Sequence, residues 1–340
     1  MSESISIGIL GATGMVGQRM IQRLQGHPFF NLGAVAASSR SAGRSYGEAV
    51  NWRLEGQCPA GVDEMPVRVC QPDAMPPNVR VVLSALDSSV AKTIEENFRS
   101  AGFAVISNAS AWRMDPHVPL VIPEVNPQAL SLIEAQGPGY IVANPNCCAI
   151  PLAMTLAPLH RRWGVQAVTV STWQAVSGAG YPGESAWDMV GSVHPHGGNE
   201  EEKLAEEPGK ILEAEFPISA RCVRVPVADG HLLGIHVRLD GNPGPEAVHR
   251  CLVEWKGEGP HLPSCPRPPL RVDARRDRPS PRLDCGVGNG MAITIGRIEA
   301  CPVMGIKLYA LAHNTIRGAA GAAIANAELL RVRGQLPEAP

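Results

Sequence analysis

Residues 4–17 read SISIGILGATGMVG, a short apolar segment that runs into three evenly spaced glycines. Ser4–Leu10 has the composition of a buried strand, and apolar residues recur at helical spacing from Val16 to Leu24. Glycines between a strand and a helix let backbone N–H groups approach a pyrophosphate at the helix N-terminus. The G-x-x-G-x-x-G turn at Gly11–Gly17 therefore predicts a dinucleotide site, with a purely structural turn as the alternative.

The first half of the chain continues as alternating strands and helices. A helix is expected over Val90–Ser100, with Ser88 or Ser89 as its N-cap. Further strands are expected at Asn31–Ala37, Val79–Leu86, Phe103–Ile106 and Tyr140–Val142. This alternation predicts a parallel sheet covered by helices on both faces, as in a Rossmann-type fold.

The pattern changes after about residue 150. Longer stretches with period-two character predict a largely antiparallel sheet, at Val165–Val176, Leu232–Leu239, Met291–Ile298 and Gly305–Ala312. The Pro- and Arg-rich stretch Pro260–Arg282 is expected to be ordered but irregular. A last helix is expected at Ile316–Arg331, where small residues allow close packing against another element, expected to be the first domain. The fold class is thus α/β, with a dinucleotide-binding domain followed by an α+β domain.

Length and composition narrow the functional classes. A chain of 340 residues and 36.1 kDa predicts two domains, and 44% apolar residues exclude disorder as the main state. The net charge of −2 disfavours binding to nucleic acid or membranes by electrostatics. Nine cysteines without a C-x-x-C pair favour free thiols. With no membrane-length apolar run and no export signal, a cytoplasmic location is expected.

The end of the second predicted strand indicates the cofactor. It reads Ser38-Ser39-Arg40-Ser41, and no acidic residue occurs between Gly14 and Glu48. An NAD site commonly places an acid here for the ribose hydroxyls, whereas a guanidinium beside hydroxyls suits a 2′-phosphate. NADP is therefore the predicted cofactor, and a solvated surface arginine at Arg40 is the alternative.

Cys147 stands at a predicted strand-to-helix junction. The segment Asn144-Pro-Asn-Cys147 precedes an apolar run, Ala149–Leu159, that begins like a helix. The positive end of a helix favours a thiolate, the nucleophilic form of cysteine, although a buried structural cysteine is the alternative. Cys148 is assigned to packing, and neither this pair nor His194-x-His196 has partners at metal-ligand spacing, so no metal is predicted.

A nucleophilic thiolate needs a proton-transfer partner among ten histidines. His231 is a candidate because a Gly-His turn at a strand end can project an imidazole into a cleft. The residues alone do not decide between it and the other nine.

Eight blocks of the chain resemble the aspartate-β-semialdehyde dehydrogenase family, in its archaeal and fungal-like branch. They are, in the family's order, GATGMVG, ASSRSAG, SNASAWRMDPHVPLVIPEVN, ANPNC, QAVSGAGYPG, GGNEEEK, RVPVADGH and HNTIRGAAG. The resemblance implies a fold like that of glyceraldehyde-3-phosphate dehydrogenase. It also implies NADPH-dependent reduction of L-aspartyl-4-phosphate to the semialdehyde through a cysteine thioester, in the biosynthesis of lysine, threonine and methionine.

The resemblance also implies roles for individual residues. Cys147 is similar to the nucleophile, His231 to the acid/base, and Gln174 to the residue that orients the covalent intermediate. Arg224 resembles the group that binds the substrate α-carboxylate and Glu200 the group that binds its α-ammonium, with Glu201 as the alternative. The residues implied to bind the phosphate are Lys203, Arg113 and Asn146. The implied cofactor residues are Gly11, Thr13, Gly14, Met15, Val16, Ser38, Arg40, Ser41, Ser177, Gly178 and Asn314.

The same resemblance implies the domain organisation. Residues 1–147 and the C-terminal helix 314–340 are expected to bind the dinucleotide, and residues 148–313 to carry catalysis and oligomerisation as a homodimer or homotetramer. The expected partners are a small-molecule substrate and inorganic phosphate, with no nucleic acid and no membrane. Alternatives are a malonyl-CoA reductase or another acyl-thioester reductase on the same scaffold, and a nucleotide-sensing relative without turnover.

Overall fold

The computed structural model describes residues 4–195 and 199–338, which form two compact units. Unit 1 comprises the described residues of Met1–Val121, Gln128–Asn144 and Ala319–Pro340, and unit 2 those of Ile122–Pro127 and Pro145–Gly318. His196, part of the predicted His194-x-His196 loop, lies outside the described residues.

Unit 1 contains a six-stranded sheet in which every pair of neighbours is parallel. Its strands are β1 (Ile5–Leu10), β2 (Phe30–Ala37), β3 (Val67–Val69), β4 (Val81–Ser84), β5 (Ala104–Ser107) and β6 (Tyr140–Ala143). The order β3-β2-β1-β4-β5-β6 reverses the direction of progress across the sheet between β1 and β4. A doubly wound sheet binds nucleotides at the carboxyl ends of the strands on either side of such a reversal. The Rossmann-type fold predicted from the sequence is confirmed.

The helices of unit 1 are α1 (Met15–Leu24), α2 (Tyr46–Ala49), α3 (Ser88–Ser100) and a C-terminal helix described below. Helix α1 begins directly after the glycine-rich turn, as expected. The predicted N-cap of α3 is wrong: Asp87 caps the helix, and its carboxylate accepts the Ser89 N–H at 3.2 Å. Asp87 has the extended backbone of an N-cap, whereas both serines are already helical, and a carboxylate suits the positive helix end better than a hydroxyl.

Unit 2 contains a seven-stranded sheet in the order β11-β12-β13-β10-β7-β9-β8. Its strands are β7 (Val165–Gln174), β8 (His194–Pro195), β9 (Ile218–Arg224), β10 (His231–Leu239), β11 (Leu270–Asp273), β12 (Ile293–Cys301) and β13 (Gly305–Ala312). Four of the six pairings are antiparallel, and β7/β9 and β11/β12 are parallel, so the sheet is mixed. Strand β11 lies inside the stretch Pro260–Arg282, which was expected to be irregular. The sequence pattern did not indicate this strand because only four of its residues pair.

The helices of unit 2 are α4 (Ala149–Trp163), α5 (Ala186–Met189), α6 (Glu200–Leu212), α7 (Pro245–Glu254) and α8 (Pro281–Asp284). Residues Ala149–Leu159 of α4 are all buried, which explains their continuous apolar run. Side chains of β10 alternate between buried and more exposed positions, so one face of the sheet packs inward. Within the described residues, no helix is long and apolar enough to cross a membrane.

The predicted final helix consists of two parts. A π-helical turn, Ile316–Ala320, precedes α9 (Gly321–Val332). Within unit 1, Asn326 on α9 donates to the Val121 carbonyl at 3.1 Å, and His27 Nε2 lies 2.7 Å from the Glu328 carboxylate. The C-terminal helix therefore packs into unit 1.

Candidate active site

Cys147 lies two residues before α4, in a turn that its neighbours hold in place. The Asn146 side chain accepts the N–H groups of Cys148 and Ala149, at 2.8 and 3.4 Å, and so caps the helix. The Asn146 N–H donates to the buried Glu207 carboxylate at 2.5 Å. A Cβ on Gly318 would lie 2.6 Å from the Cys147 Cβ, so only glycine allows this close approach.

The surroundings of Cys147 favour its thiolate. The Cys148 thiol, acting as a hydrogen-bond donor, lowers the pKa of Cys147 well below its ordinary value, and the His231 ring adds to this effect against the opposing effect of burial. Burial raises the pKa of Cys148, which keeps the neighbouring thiol protonated. Of the two thiols, Cys147 is the one whose surroundings favour ionisation, and Cys148 donates to it in addition to the packing expected from the sequence.

His231 is the first residue of β10 and is fully buried. Its Nδ1 accepts the Ala175 N–H at 3.0 Å, so the neutral ring carries its hydrogen on Nε2, a buried atom without a hydrogen-bond partner among the described residues. The two sulfurs of Cys147 and Cys148 and one His231 ring nitrogen lie within 4.8 Å of one another. A nitrogen that bears hydrogen cannot ligate a metal, so the cluster suits a thiol–imidazole pair.

The backbone of Ala175 holds His231 and Arg224 together. Its N–H contacts the imidazole, and its carbonyl accepts from Arg224 Nη1 at 2.9 Å. A Cβ on Gly178 would lie 2.8 Å from Arg224 Nη1 and 2.9 Å from His231 Cε1, so both side chains lie over this glycine. Gln174 ends β7 opposite Arg224 on β9, and both side chains are buried.

Three of the predicted substrate residues meet at the start of α6. Glu200 accepts from Lys203 Nζ at 2.6 Å and from Asn146 Nδ2 at 2.9 Å. Glu201 instead pairs with the exposed Arg221 and accepts the Cys222 N–H. This geometry favours Glu200 over Glu201 as the site residue.

Ser177 and Asn314, predicted to bind cofactor, form one hydrogen-bonded chain. The Asn314 amide donates to Ser177 Oγ at 2.8 Å, and its oxygen accepts the Gly230 N–H at 2.9 Å. Ser177 Oγ donates to the Asp229 carboxylate at 2.8 Å. These hydrogen bonds hold the turn that precedes His231, the first residue of β10.

The glycine-rich turn of unit 1 has the geometry of a phosphate cradle. A Cβ would lie 2.5 Å from the Ala85 carbonyl oxygen at Gly11 and 2.4 Å from the Gly11 carbonyl oxygen at Gly17, so both positions exclude a side chain. Gly14 is exposed, and its Cβ would meet nothing closer than 3.5 Å, which leaves room for a ligand.

Carbonyl groups of the same turn are held by side chains. The Ala12 carbonyl accepts from the buried Tyr46 hydroxyl at 2.8 Å, and the Thr13 carbonyl accepts from Gln18 Nε2 at 2.9 Å. Helix α1 has no side-chain cap at its N-terminus, so the N–H groups of Met15 and Val16 remain for a ligand. A pyrophosphate fits this arrangement.

The remaining predicted residues of unit 1 occupy two places. Ser38 and Arg40 are exposed and Ser41 is half-buried, directly after β2. In the part of the chain that the structure describes, Arg40 forms no ion pair with an acidic side chain. Its guanidinium is therefore free of a competing carboxylate, as binding of a phosphate requires. Arg113 is buried, and its Nη2 donates to the Asn108 carbonyl at 2.7 Å.

Sequence reasoning did not identify Glu207, Tyr46 or Glu184, which contact the Cys147 turn, the glycine-rich turn and Arg224. Glu207 follows Glu200 by seven residues, two helical turns, so helical spacing could have indicated it. Tyr46 and Glu184 carry no such periodic signal. Glu184 bridges Arg224 and His194, with both contacts at 3.3 Å.

Two protein-family models match the chain. The semialdehyde dehydrogenase NAD-binding domain matches residues 6–133, and the semialdehyde dehydrogenase dimerisation domain matches residues 156–317. The aspartate-semialdehyde dehydrogenase of Methanothermobacter thermautotrophicus is 44% identical over 96% of this chain and 99% of its own length. That of Cryptococcus neoformans var. neoformans is 42% identical over 97% of this chain and 98% of its own.

Solved structures show the same similarity. Aspartate semialdehyde dehydrogenase with NADP from Candida albicans has a TM-score of 0.89 and 37% identity over 98% of this chain and 100% of its own. Aspartate semialdehyde dehydrogenase II complexed with ASA, from Vibrio cholerae, has a TM-score of 0.80 and 26% identity over 98% of this chain and 99% of its own. The resemblance to archaeal and fungal relatives noted in the sequence is confirmed.

Proposed function

The chain belongs to the aspartate-semialdehyde dehydrogenase family of NADP-dependent oxidoreductases, and we propose that it reduces L-aspartyl-4-phosphate to L-aspartate-4-semialdehyde with NADPH. One observation carries this proposal. A thiol with a lowered pKa, Cys147, lies beside the buried His231 ring, and Arg224 is anchored to the same residue as that ring.

The first chemical step would be acyl transfer to sulfur. The Cys147 thiolate attacks the acyl phosphate carbon, a C–S bond forms, and the C–O bond to phosphate breaks, which releases inorganic phosphate. Lys203 and Arg113 supply positive charge for the phosphate, and Asn146 supplies an amide donor. The lowered pKa of Cys147 increases the fraction of this thiol that is ionised.

The second step reduces the thioester. When bound, NADPH supplies the hydride for this step. The His231 Nε2–H stabilises negative charge that develops on the substrate oxygen, and on sulfur when the C–S bond breaks and the aldehyde leaves. Gln174 orients the covalent intermediate from the end of β7.

The substrate's amino-acid end would be held by opposite charges. The planar guanidinium of Arg224 suits a carboxylate because it can donate to both oxygens. Glu200 is assigned to the α-ammonium group. A coenzyme A thioester such as malonyl-CoA has no ammonium group, and the family membership supports the amino-acid substrate over that alternative.

We assign dinucleotide binding to unit 1 and catalysis to unit 2. The turn residues Gly11, Thr13, Gly14, Met15 and Val16 receive the pyrophosphate, and Ser38, Arg40 and Ser41 receive the 2′-phosphate of NADP. Ser177, Gly178 and Asn314 serve the nicotinamide end. Because the dimerisation-domain model matches residues 156–317, we further propose a homo-oligomer, as a homodimer or homotetramer.

A steady-state assay tests the proposed function. Aspartate semialdehyde with phosphate and NADP⁺ is compared with malonyl-CoA and NADPH, and activity only with malonyl-CoA would reject the proposal. Cys147→Ser should abolish turnover, whereas Cys58→Ser, a half-buried thiol of unit 1, should leave it intact. Retained turnover in Cys147→Ser would exclude the thioester mechanism.

A further inference from the structure

Two acids of helix α6 hold the turn that carries Cys147. Glu207 Oε2 accepts the Asn146 N–H at 2.5 Å, and Glu200 accepts from Asn146 Nδ2 at 2.9 Å. The two acids are seven residues apart, which is two helical turns, so they lie on the same face of α6. The residue directly before Cys147 is thus bound to one helix through both its main chain and its side chain.

Glu207 has no role in the reaction described above, and its surroundings are unusual for an acid. It is 1% exposed, whereas the neighbouring Glu206 is exposed to solvent. A carboxylate is kept in a buried position only where hydrogen bonds offset the cost of removing it from water. A charged acceptor also forms a stronger hydrogen bond with a backbone N–H than a neutral acceptor does. The contact with Glu207 therefore constrains the backbone just before Cys147.

The rest of the turn connects this constraint to the Cys147 sulfur. The Asn146 side chain accepts the Cys148 N–H at 2.8 Å and so joins this residue to the start of α4. A Cβ on Gly318 would lie 2.6 Å from the Cys147 Cβ, so the turn has no room to move towards Gly318. A displaced backbone would move Cys147 relative to the Cys148 thiol and the His231 ring, the two groups that favour its ionisation.

We propose that Glu207 is a positioning residue that holds the Cys147 turn in its reactive geometry; this inference rests on the proposed function. Glu207 acts through the Asn146 main chain and takes no part in proton or acyl transfer. A displacement of about 1 Å in a reacting group can lower the rate about a hundredfold, so the residue that fixes this group affects kcat. KM depends on the charged groups that contact the substrate and should change less.

Two variants separate the position of the acceptor from its charge. Glu207→Asp keeps the charge but withdraws the carboxylate by one methylene from the Asn146 N–H, whereas Glu207→Gln keeps an acceptor at the same reach without the charge. With aspartate semialdehyde, phosphate and NADP⁺, we expect kcat to fall about ten- to a hundredfold in Glu207→Asp, with KM changed less than about threefold. In Glu207→Gln, kcat should stay within about threefold of wild type. The matched control is Glu206→Gln, an exposed position of the same helix, which should leave both constants unchanged.

The pH dependence of alkylation provides a readout that needs no substrate. Labelling of Cys147 by iodoacetamide, followed by mass spectrometry at different pH values, reports the pKa of its thiol because the thiolate is the form that reacts. We expect Glu207→Asp to raise this pKa, since the displaced thiol loses the contact with Cys148 that favours ionisation. A purely electrostatic role predicts no rise in Glu207→Asp, which keeps the charge, and a lower pKa in Glu207→Gln.

Two results would overturn the inference. An unchanged kcat or an unchanged labelling profile in Glu207→Asp would show that the contact does not position the nucleophile. An equal or greater loss of kcat in Glu207→Gln would show that the charge matters more than the position of the acceptor. If circular dichroism shows that Glu207→Asp does not fold, Glu207→Gln alone decides: retained kcat supports the inference, and a loss of more than about tenfold overturns it. Wild-type protein without activity on aspartate semialdehyde would refute the proposed function instead, and the labelling profiles would still test Glu207.

Discussion

Replacing Arg317 with methionine would leave a buried carboxylate without its cation. The Arg317 guanidinium is 1% exposed and donates to both oxygens of Glu124, at 2.7 and 2.8 Å. Removing one member of such a pair costs about 3–5 kcal/mol because the remaining charge stays desolvated. Each kcal/mol lowers Tm by about 2–4 °C in a domain of 150–250 residues, so we expect Tm to fall by roughly 6–20 °C.

The assay is urea and thermal unfolding of Arg317→Met, Glu124→Gln and the double variant. The double variant removes both charges, so it should recover most of the stability lost in Arg317→Met. A double variant as unstable as Arg317→Met would refute the argument, because the cost would then arise from lost packing. Arg317 Nη2 also contacts the Met154 sulfur, and methionine at 317 keeps an apolar side chain there.

The pH dependence provides a second check. Burial opposes ionisation of Glu124, but the Arg317 charge and hydrogen bonds outweigh it and hold the pKa of Glu124 below its usual value. The pair therefore stabilises the native state above the unfolded pKa of Glu124, and this contribution is lost as pH falls through the lower native value. In Arg317→Met the effect of burial on Glu124 is no longer opposed, which raises the pKa of this carboxyl, so its protonation should shrink the deficit as pH falls from 8 towards 4.5, the ordinary glutamate pKa. A constant deficit would contradict the reasoning.

Three further predictions concern unit 1. Arg40→Ala should weaken NADPH binding far more than NADH binding, measured by fluorescence titration, and equal losses would show that Arg40 does not contact the 2′-phosphate. Tyr46→Phe removes the hydroxyl that holds the Ala12 carbonyl and should raise the Kd for NADPH about threefold to tenfold with little change in kcat; an unchanged Kd would reject this positioning role. Burial raises the pKa of Glu95, so native stability falls as pH rises through the unfolded pKa towards the native one. Glu95→Gln should remove this loss in urea unfolding at pH 5 and pH 7.5, and an unchanged pH dependence would exclude Glu95 as its source.

The parts of the fold that depend on local pattern could be predicted from the sequence. The turn Gly11–Gly17 and strand β13 occur where periodicity and glycine spacing indicate them. Local pattern was less informative for β11, which has only four residues, and for the Asp87 cap, which competes with two adjacent serines. Short elements are determined mainly by tertiary pairing.

Candidate site residues could be identified from the sequence where the proposed chemistry depends on one residue and its local structure. Cys147 precedes an evident helix, and that context indicates a thiolate. The contacts of His231 could not be predicted, because its partner Ala175 lies 56 residues away. Glu184 and Arg224 are separated by 40 residues. Hydrogen bonds between distant segments leave no period in the sequence, so only the folded chain reveals them.

With the roles proposed for His231 and Arg224, the two polar groups of Ala175 would set the length of the substrate. One residue, with φ −64° and ψ 149°, separates the acceptor contact of His231 from the donor contact of Arg224. Only two backbone rotations lie between these groups, and the residue is fully buried, so the N–H and carbonyl of Ala175 hold the imidazole and the guanidinium from a fixed backbone position. Under the proposed roles, we expect glutamate-5-semialdehyde, which is one methylene longer, to be a poorer substrate, because its aldehyde carbon and carboxylate would not match the positions of the Cys147 sulfur and the Arg224 guanidinium together.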